Sequence, residues 1–277
     1  MGELFFFSLR LNLPFVKDTQ LLPSDGLVHG FSTRLKGISP PPFDSLNLGL
    51  SGGDAPEHVI ENRRIFFNSL GMDAGKIFLA RQVHGNNVLV IDEKIRDYEV
   101  FKKKVSLEAC DALITDQVGV PLTVLTADCV PLILLDPVRR VLGVIHAGWR
   151  GTLRRVTEIT LKTMAATFHV RPADCLAVIG PSVRGCCYEV DDAVIEPFRG
   201  TFNYWERLAT RKGPHKWYLD LARANYWQLM TSKVREENIA ILNFCTYCNR
   251  ELFFSYRRDG KKTGRMLSTA MLREGSR

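Results

Sequence analysis

Three residues able to ligate a metal stand beside apolar runs: His84 in RQVHGNN, Cys129 in TADCVPLILLD and His146 in VLGVIHAGWRG. Cys129 and His146 are 17 positions apart (146 − 129). A hairpin between their runs would bring the two side chains together, and His84 ends another short apolar run. Two imidazoles and a thiolate form a zinc-competent set, because a catalytic zinc takes three protein ligands and keeps a fourth position open. The spacing matches no short metal motif. A plainer role fits as well, with Cys129 a core cysteine and His146 a hydrogen-bonded histidine at a strand end.

Other polar residues gather at similar places. In HAGWRG two glycines bracket Trp149 and Arg150 where a strand gives way to a helix. Free N–H groups at a helix start attract anions, and Arg150 could clamp one through two hydrogen bonds. The plainer alternative is an ordinary turn with an exposed arginine. Arg34 in FSTR, Asn47 in SLNLG, and Arg257 and Arg258 in FFSYRR are further anion or ribose candidates, with solvated-surface roles as the alternative. Cys186 and Cys187 in RGCCYEV are adjacent, which suits structural cysteines better than ligands of one metal. The CTYC of residues 245–248 has the form of half a zinc site, but no second ligand pair is evident.

The elements that must position these residues follow from pattern. GLVHGFSTR reads as a strand, GISPPPFDSLNLGLSGGDAP as a long loop, and EHVIENRRIFFNSL as a helix that Gly71 can end. KIFLARQVHG and NNVLVID read as strands about a turn at His84–Gly85. Between residues 112 and 147 the chain is mostly strand, with DPVRR as a hairpin turn. A helix with Thr152 as its cap is expected next, with Leu153, Val156, Ile159, Met164 and Phe168 on one face. CLAVIGP reads as a strand, DDAVIEPF as a short helix, and DLARANYWQLMTSKVREEN as a longer helix capped by Asp220. IAILNF and LFFSYRR read as closing strands, and FKKKV at 101–105 as a solvated loop. Strands cluster without steady βαβ alternation, so the fold class is α+β or a mixed sheet. No domain boundary is evident, so a single domain over 1–277 is expected.

Composition narrows the function classes. The chain of 277 residues is 45% hydrophobic and 24% charged, as expected of a soluble globular protein. The opening run MGELFFFSLRLNLPFVK is too short and too broken by charge for a signal peptide, and no later run approaches a membrane span. A cytoplasmic protein is expected. Seven cysteines, an odd number without a regular framework, point to thiols rather than disulfides. A net charge of +7 suits either nucleic acid or small anions such as phosphate. RNA-binding aromatic motifs are absent, which favours small anions.

Taken together, FSTR, SLNLG, ENRR, RQVHG, DALIT, TADCVPLILLD, GVIHAGWRGT, IGPSV…CCYEV and FFSYRRD…TGR resemble the laccase-domain family of purine nucleoside phosphorylases, whose bacterial members were formerly labelled polyphenol oxidases. The resemblance runs from about Gly26 to Thr269. It implies two mixed β-sheets packed face to face with helices outside. It implies a zinc ion, with copper as an in vitro substitute, held by His84, Cys129 and His146. It also implies phosphorolysis of adenosine, inosine, guanosine and 5′-methylthioadenosine, and deamination of adenosine. The expected partners are purine nucleosides and phosphate, without nucleic acid or membrane, in a monomer or homodimer.

On that basis Arg150 is the expected phosphate ligand, with Arg34 beside it. Asp128, next to Cys129, is the acid/base candidate; orienting a ligand or capping a turn is its alternative role. Two other readings compete. A Cys–His hydrolase would use Cys129 as nucleophile and His146 as base, and would leave His84 unexplained. A basic RNA-binding protein would leave the polar strand ends unexplained. A multicopper oxidase is disfavoured by a count of only six histidines with no HxH pair.

Overall fold

A computed structural model describes residues 14–18, 20–23 and 25–275. Most of the opening apolar run lies outside them. The strands are β1 (Phe15–Val16), β2 (Leu27–Ser32), β3 (Phe78–Leu79), β4 (Val88–Ile91), β5 (Ala112–Thr115), β6 (Leu122–Thr126), β7 (Val130–Asp136), β8 (Val141–Ala147), β9 (Leu176–Ile179), β10 (Glu189–Asp191), β11 (Ala209–Gly213), β12 (Lys216–Leu219), β13 (Ile239–Ile241) and β14 (Met266–Leu272). The helices are α1 (Pro56–Ser69), α2 (Tyr98–Leu107), α3 (Trp149–Leu153), α4 (Val156–Phe168), α5 (Asp192–Thr201), α6 (Leu221–Thr231) and α7 (Tyr256–Asp259).

Strand residues alternate between two cores. Along β7, Leu132 and Leu134 point into one apolar cluster while Ile133 and Leu135 point into another. Side chains on a strand face opposite ways in turn, so a strand apolar at every position must be covered on both sides. That requirement builds the layers. A six-stranded sheet has the order β13-β9-β7-β8-β5-β4, and a five-stranded sheet the order β1-β2-β14-β6-β3. Both mix parallel and antiparallel pairs. Phe31, Leu122 and Val124 of one meet Leu113, Ile133 and Val144 of the other in a core between the sheets. α4, α5 and α6 cover the far face of the larger sheet through Met164, Phe198 and Leu229. Phe66 and Phe67 of α1 cover the far face of the smaller one. The result is one α+β domain with helices outside two sheets. A three-stranded sheet, β10-β12-β11, lies apart from both. No helix of the described residues is long and apolar enough to cross a membrane.

Several expected elements differ. The helix expected from Thr152 is two helices, broken at Arg155, whose φ is +61°. Thr152 is a fully buried anchor rather than a cap. Its carbonyl accepts from Gln228 Nε2 at 2.8 Å and its hydroxyl from Asn225 Nδ2 at 3.0 Å. These bonds take backbone capacity from a continuous helix and tie α3 to α6. FKKKV lies within α2, which Asp97 caps by accepting from Glu99 N and Val100 N. LFFSYRR is not a strand: residues 252–255 are a loop with Phe253, Phe254 and Ser255 buried, residues 256–258 begin α7, and the last strand is β14 instead. Only Phe78–Leu79 of KIFLARQVHG is strand.

Candidate metal centre

Two connections that pass from one sheet to the other place the site. β6 belongs to the five-stranded sheet and β7 to the six-stranded one, and Cys129 lies in the short turn between them. His84 lies in the connection from β3 to β4, which makes the same passage. His146 is near the end of β8, beside Pro131 of β7 in the antiparallel register. The ligand atoms of His84, Cys129 and His146 all lie within 4.8 Å of one another. Cys129 Sγ is 3.9 Å from His84 Nε2, and the two imidazoles meet edge to face with centroids 4.9 Å apart.

A residue overlooked in the sequence organises this trio. Asp111, fully buried just before β5, accepts a hydrogen bond from His146 Nδ1 at 2.7 Å. The same carboxylate accepts from the backbone N–H groups of Val83, His84 and Gly85 at 3.2, 3.0 and 2.7 Å. Those bonds hold His84 in its left-handed conformation, φ +58°. A proton on His146 Nδ1 leaves Nε2 as the ligand atom. Burial pushes the Asp111 carboxyl up, but the His146 hydrogen bond and charge and the backbone donors bring it below the usual range.

The thiol and imidazole shift each other. Burial would raise the Cys129 thiol, yet the charge and hydrogen bond of His146, with help from His84, hold it down at about 6. Burial would lower His146, yet the Cys129 charge and the Asp111 hydrogen bond lift it to about 9. Bound protons therefore compete with any cation for the same atoms.

The trio fits a single tetrahedral ion. Such an ion bound to both Cys129 and His84 would hold their ligand atoms about 3.6 Å apart, close to the observed separation. Gly148 keeps the space open: a Cβ there would lie 2.8 Å from His84 Cδ2 and 3.1 Å from Cys129 Sγ. Gly151 likewise permits contact, since its Cβ would lie 2.8 Å from the Gly85 carbonyl oxygen.

The trio opens into a cleft of about 680 Å³. Arg150, Arg257 and Arg265 line it, together with Gln82, Trp149 and Tyr188. None of the three arginines forms an ion pair among the described residues. Arg150 stacks on Trp149 at 4.4 Å and Arg257 on Tyr188 at 4.9 Å. α3 is only five residues long, so Arg150 itself, more than a helix dipole, brings positive charge from HAGWRG.

The other expected site residues go elsewhere. Arg34 is in a separate cleft, with Nη2 3.1 Å from Asp44 Oδ2 and Nε donating to the Asp44 carbonyl. Asn47 is fully buried and holds Asp54, Gly49 and the Arg265 backbone N–H; it supports Arg265 without facing the cleft. Asp128 borders the cleft, but Oδ1 accepts from Thr246 Oγ1 and Oδ2 from Arg257 N, each at 2.6 Å. With φ +89° it fixes the turn that carries Cys129. Arg258 donates to the carbonyls of Thr246, Tyr247 and Phe253. Asp111 and Arg265 were missed. Their only trace is in DALIT and TGR, where one polar residue flanks a strand. The CTYC pair does have company, because Cys186 and Cys187 lie against it.

A family model described as "Multi-copper polyphenol oxidoreductase laccase" matches residues 28–273. The chain is 36% identical over 248 residues to the purine nucleoside phosphorylase YlmD of Bacillus subtilis, covering 90% of this chain and 89% of that protein. It is 34% identical over 228 residues to adenosine deaminase RL5 of an unknown prokaryotic organism, covering 80% of this chain and 85% of that protein. The crystal structure of the Bacillus licheniformis hypothetical protein YfiH superposes with a TM-score of 0.87 at 34% identity, covering 95% of this chain and 98% of that one. Fold and site thus define a two-sheet laccase-domain protein with metal-binding capacity. The chain belongs to the YfiH/YlmD/LACC1 laccase-domain, purine-nucleoside-phosphorylase-like family. One cysteine and two histidines suit one ion rather than the several coppers in the family model's description.

Proposed function

We propose that this chain is a zinc-dependent purine nucleoside phosphorylase that also deaminates adenosine. The observation that carries the reading is the His84–Cys129–His146 trio at the end of a cleft lined by three arginines that form no ion pair among the described residues. The relatives named purine nucleoside phosphorylase and adenosine deaminase agree with it. Adenosine, inosine, guanosine and 5′-methylthioadenosine are the proposed nucleosides. A protein acting on them in the cytoplasm needs neither nucleic acid nor membrane, and works as a monomer or homodimer.

His84, Cys129 and His146 would hold the metal, which supplies Lewis-acid polarisation at the cleft. Zinc suits one thiolate and two imidazoles, and copper can occupy the same donors in vitro. Arg150 and Arg257 bind phosphate, whose three negative oxygens match planar guanidinium donors. In phosphorolysis a phosphate oxygen forms a bond to ribose C1′ as the C1′–N9 bond breaks. The electron pair passes to N9, which gains a proton, and the products are purine and ribose 1-phosphate. In deamination, water adds at C6 and ammonia leaves. Trp149 and Tyr188 offer aromatic faces to the base. Asp128 acts by positioning Cys129, since both its oxygens already accept short hydrogen bonds.

Incubation of purified protein with adenosine, with and without phosphate, tests the reading by chromatography of products. Adenine and ribose 1-phosphate should form only with phosphate, and inosine in either case. Neither product from metal-loaded protein would overturn it.

One observation favours a second reading. Cys129, His146 and Asp111 are ordered as nucleophile, base and orienting carboxylate, with the thiol held near 6. A thiol hydrolase would use them so. It gives His84 no task, and chelators would leave its turnover unchanged.

A further inference from the structure

The second cysteine cluster lies on two loops, one of which lines the cleft through Val183 and Tyr188. Cys186 and Cys187 occupy a tight turn in which Cys187 N and Tyr188 N both donate to the Arg184 carbonyl at 2.9 Å. Cys245 and Cys248 occupy another turn, closed by Asn249 N donating to the Cys245 carbonyl at 3.0 Å. The loops are bridged by pairing of Ser182 with Cys245 and by Thr246 N donating to Ser182 O. All four sulfurs lie within 4.8 Å of one another.

We propose that Cys186, Cys187, Cys245 and Cys248 form a second metal site, a four-thiolate centre for a zinc-type divalent cation. A tetrahedral ion with S–metal bonds of about 2.3 Å spaces its sulfurs about 3.8 Å apart. Cys186 Sγ and Cys248 Sγ are 3.8 Å apart. Cys187 Sγ is 3.2 Å from Cys248 Sγ, well beyond an S–S bond of about 2.05 Å. Backbone N–H groups of Arg184, Cys248 and Tyr247 reach the Cys245 sulfur and fix its position. Burial for packing does not explain the group, since Cys186 and Cys248 are exposed. Binding releases four thiol protons as four S–metal bonds form, leaving a net negative centre. Arg184, Arg207 and Arg223 line the adjoining hollow together with Glu206 and Asp220, the last of which pairs with Arg184.

The centre is structural, because four protein ligands leave no open position. It would staple the turn of Val183 and Tyr188 to the loop of Thr246. Val183 N donates to the Asp128 carbonyl and Thr246 to its carboxylate, so the staple braces the turn that carries Cys129.

The experiment counts metal per chain in a Cys129→Ala protein, which lacks the first trio. One tightly held equivalent should remain, and cobalt(II) loading should give the intense thiolate-to-metal bands of a four-sulfur site. Adding Cys248→Ser, or Cys186→Ser if the first variant misfolds, should abolish that equivalent and lower Tm by several degrees. Both residues are exposed, so the core should tolerate the change. Absence of metal in the Cys129→Ala protein would overturn the proposal, as would retention after the serine substitutions. An intact mass lighter by two or four hydrogens would show disulfides instead, and would overturn it too.

Discussion

Asp111 and His146 are joined twice: carboxylate Oδ1 accepts from His146 Nδ1, and the Asp111 carbonyl accepts from His146 N, both at 2.7 Å. The same carboxylate pins the His84 turn, so one buried acid sets the aim of both histidines. Asp111→Asn keeps the shape but weakens the acceptor. It should lower metal affinity by roughly 10- to 100-fold. Competition titration against a chromogenic chelator checks this, and unchanged affinity would remove Asp111 from the site.

Arg150→Ala and Arg257→Ala should each raise the KM for phosphate by roughly 10- to 100-fold, the scale of one charge-assisted hydrogen bond. The KM for nucleoside should change far less. Arg34→Ala, in its separate cleft, should leave both values as they were. Initial rates at varied phosphate distinguish these outcomes. Equal losses of phosphate and nucleoside use would mark Arg150 as a structural residue.

Chelation should abolish turnover and added zinc should restore it. A metal-bound thiolate is shielded, so alkylation of Cys129 should accelerate once the metal is removed. Rapid alkylation of the metal-loaded protein, with turnover indifferent to chelators, would instead support the thiol hydrolase. His84→Ala should weaken metal retention in the first case and matter little in the second.

Gly148→Ala tests the open space by sterics alone. The backbone of Gly148, at φ −73° and ψ 174°, is extended and suits alanine. The added methyl crowds His84 and Cys129. Metal content should fall while the melting transition of the metal-free protein moves little. Full occupancy would mean that the trio can shift to make room.

His29 gives a pH dependence remote from the cleft. It lies on β2, is 5% exposed, and its Nε2 has no hydrogen-bond partner among the described residues. Burial lowers its pKa from 6.5 to about 4. The unfolded chain therefore takes up the proton first as pH falls. This contribution to stability is complete above 6.5, declines between 6.5 and about 4, and levels off below. Two and a half units correspond to roughly 3 kcal/mol. Urea titrations at about pH 7 and about pH 5 should show roughly 2 kcal/mol of this loss, and His29→Gln should flatten it.

Elements with strong periodicity were legible in the sequence; elements made by tertiary contacts were not. β7 and β8 announce themselves by unbroken apolar runs. α2 does not, because only Phe101 of its residues is buried and its cap supplies the remaining cue. β14 is hidden by Ser268 and Thr269, hydroxyls that the fold buries; Thr269 donates to the Leu122 carbonyl at 3.0 Å. LFFSYRR misleads because Phe253 and Phe254 are fully buried in a loop. At the site, His84, Cys129 and His146 stood out as polar residues in apolar surroundings. Asp111 did not, since it meets His146 across 35 positions of chain, and nothing local marks that meeting. Arg34 and Asn47 share the look of strand-end polar residues, yet internal partners claim both.

His84 and Cys129 both sit where the backbone leaves one sheet for the other, and His146 caps a strand of the second sheet. The centre therefore gauges the seating of the two halves of the sandwich. A partly docked intermediate, with each sheet formed but not yet mated, would lack the geometry to capture an ion. Metal uptake should then come last in folding, and its binding free energy should resist separation of the sheets. A stopped-flow refolding trace followed by both tryptophan fluorescence and metal release from an indicator would place those two events in order.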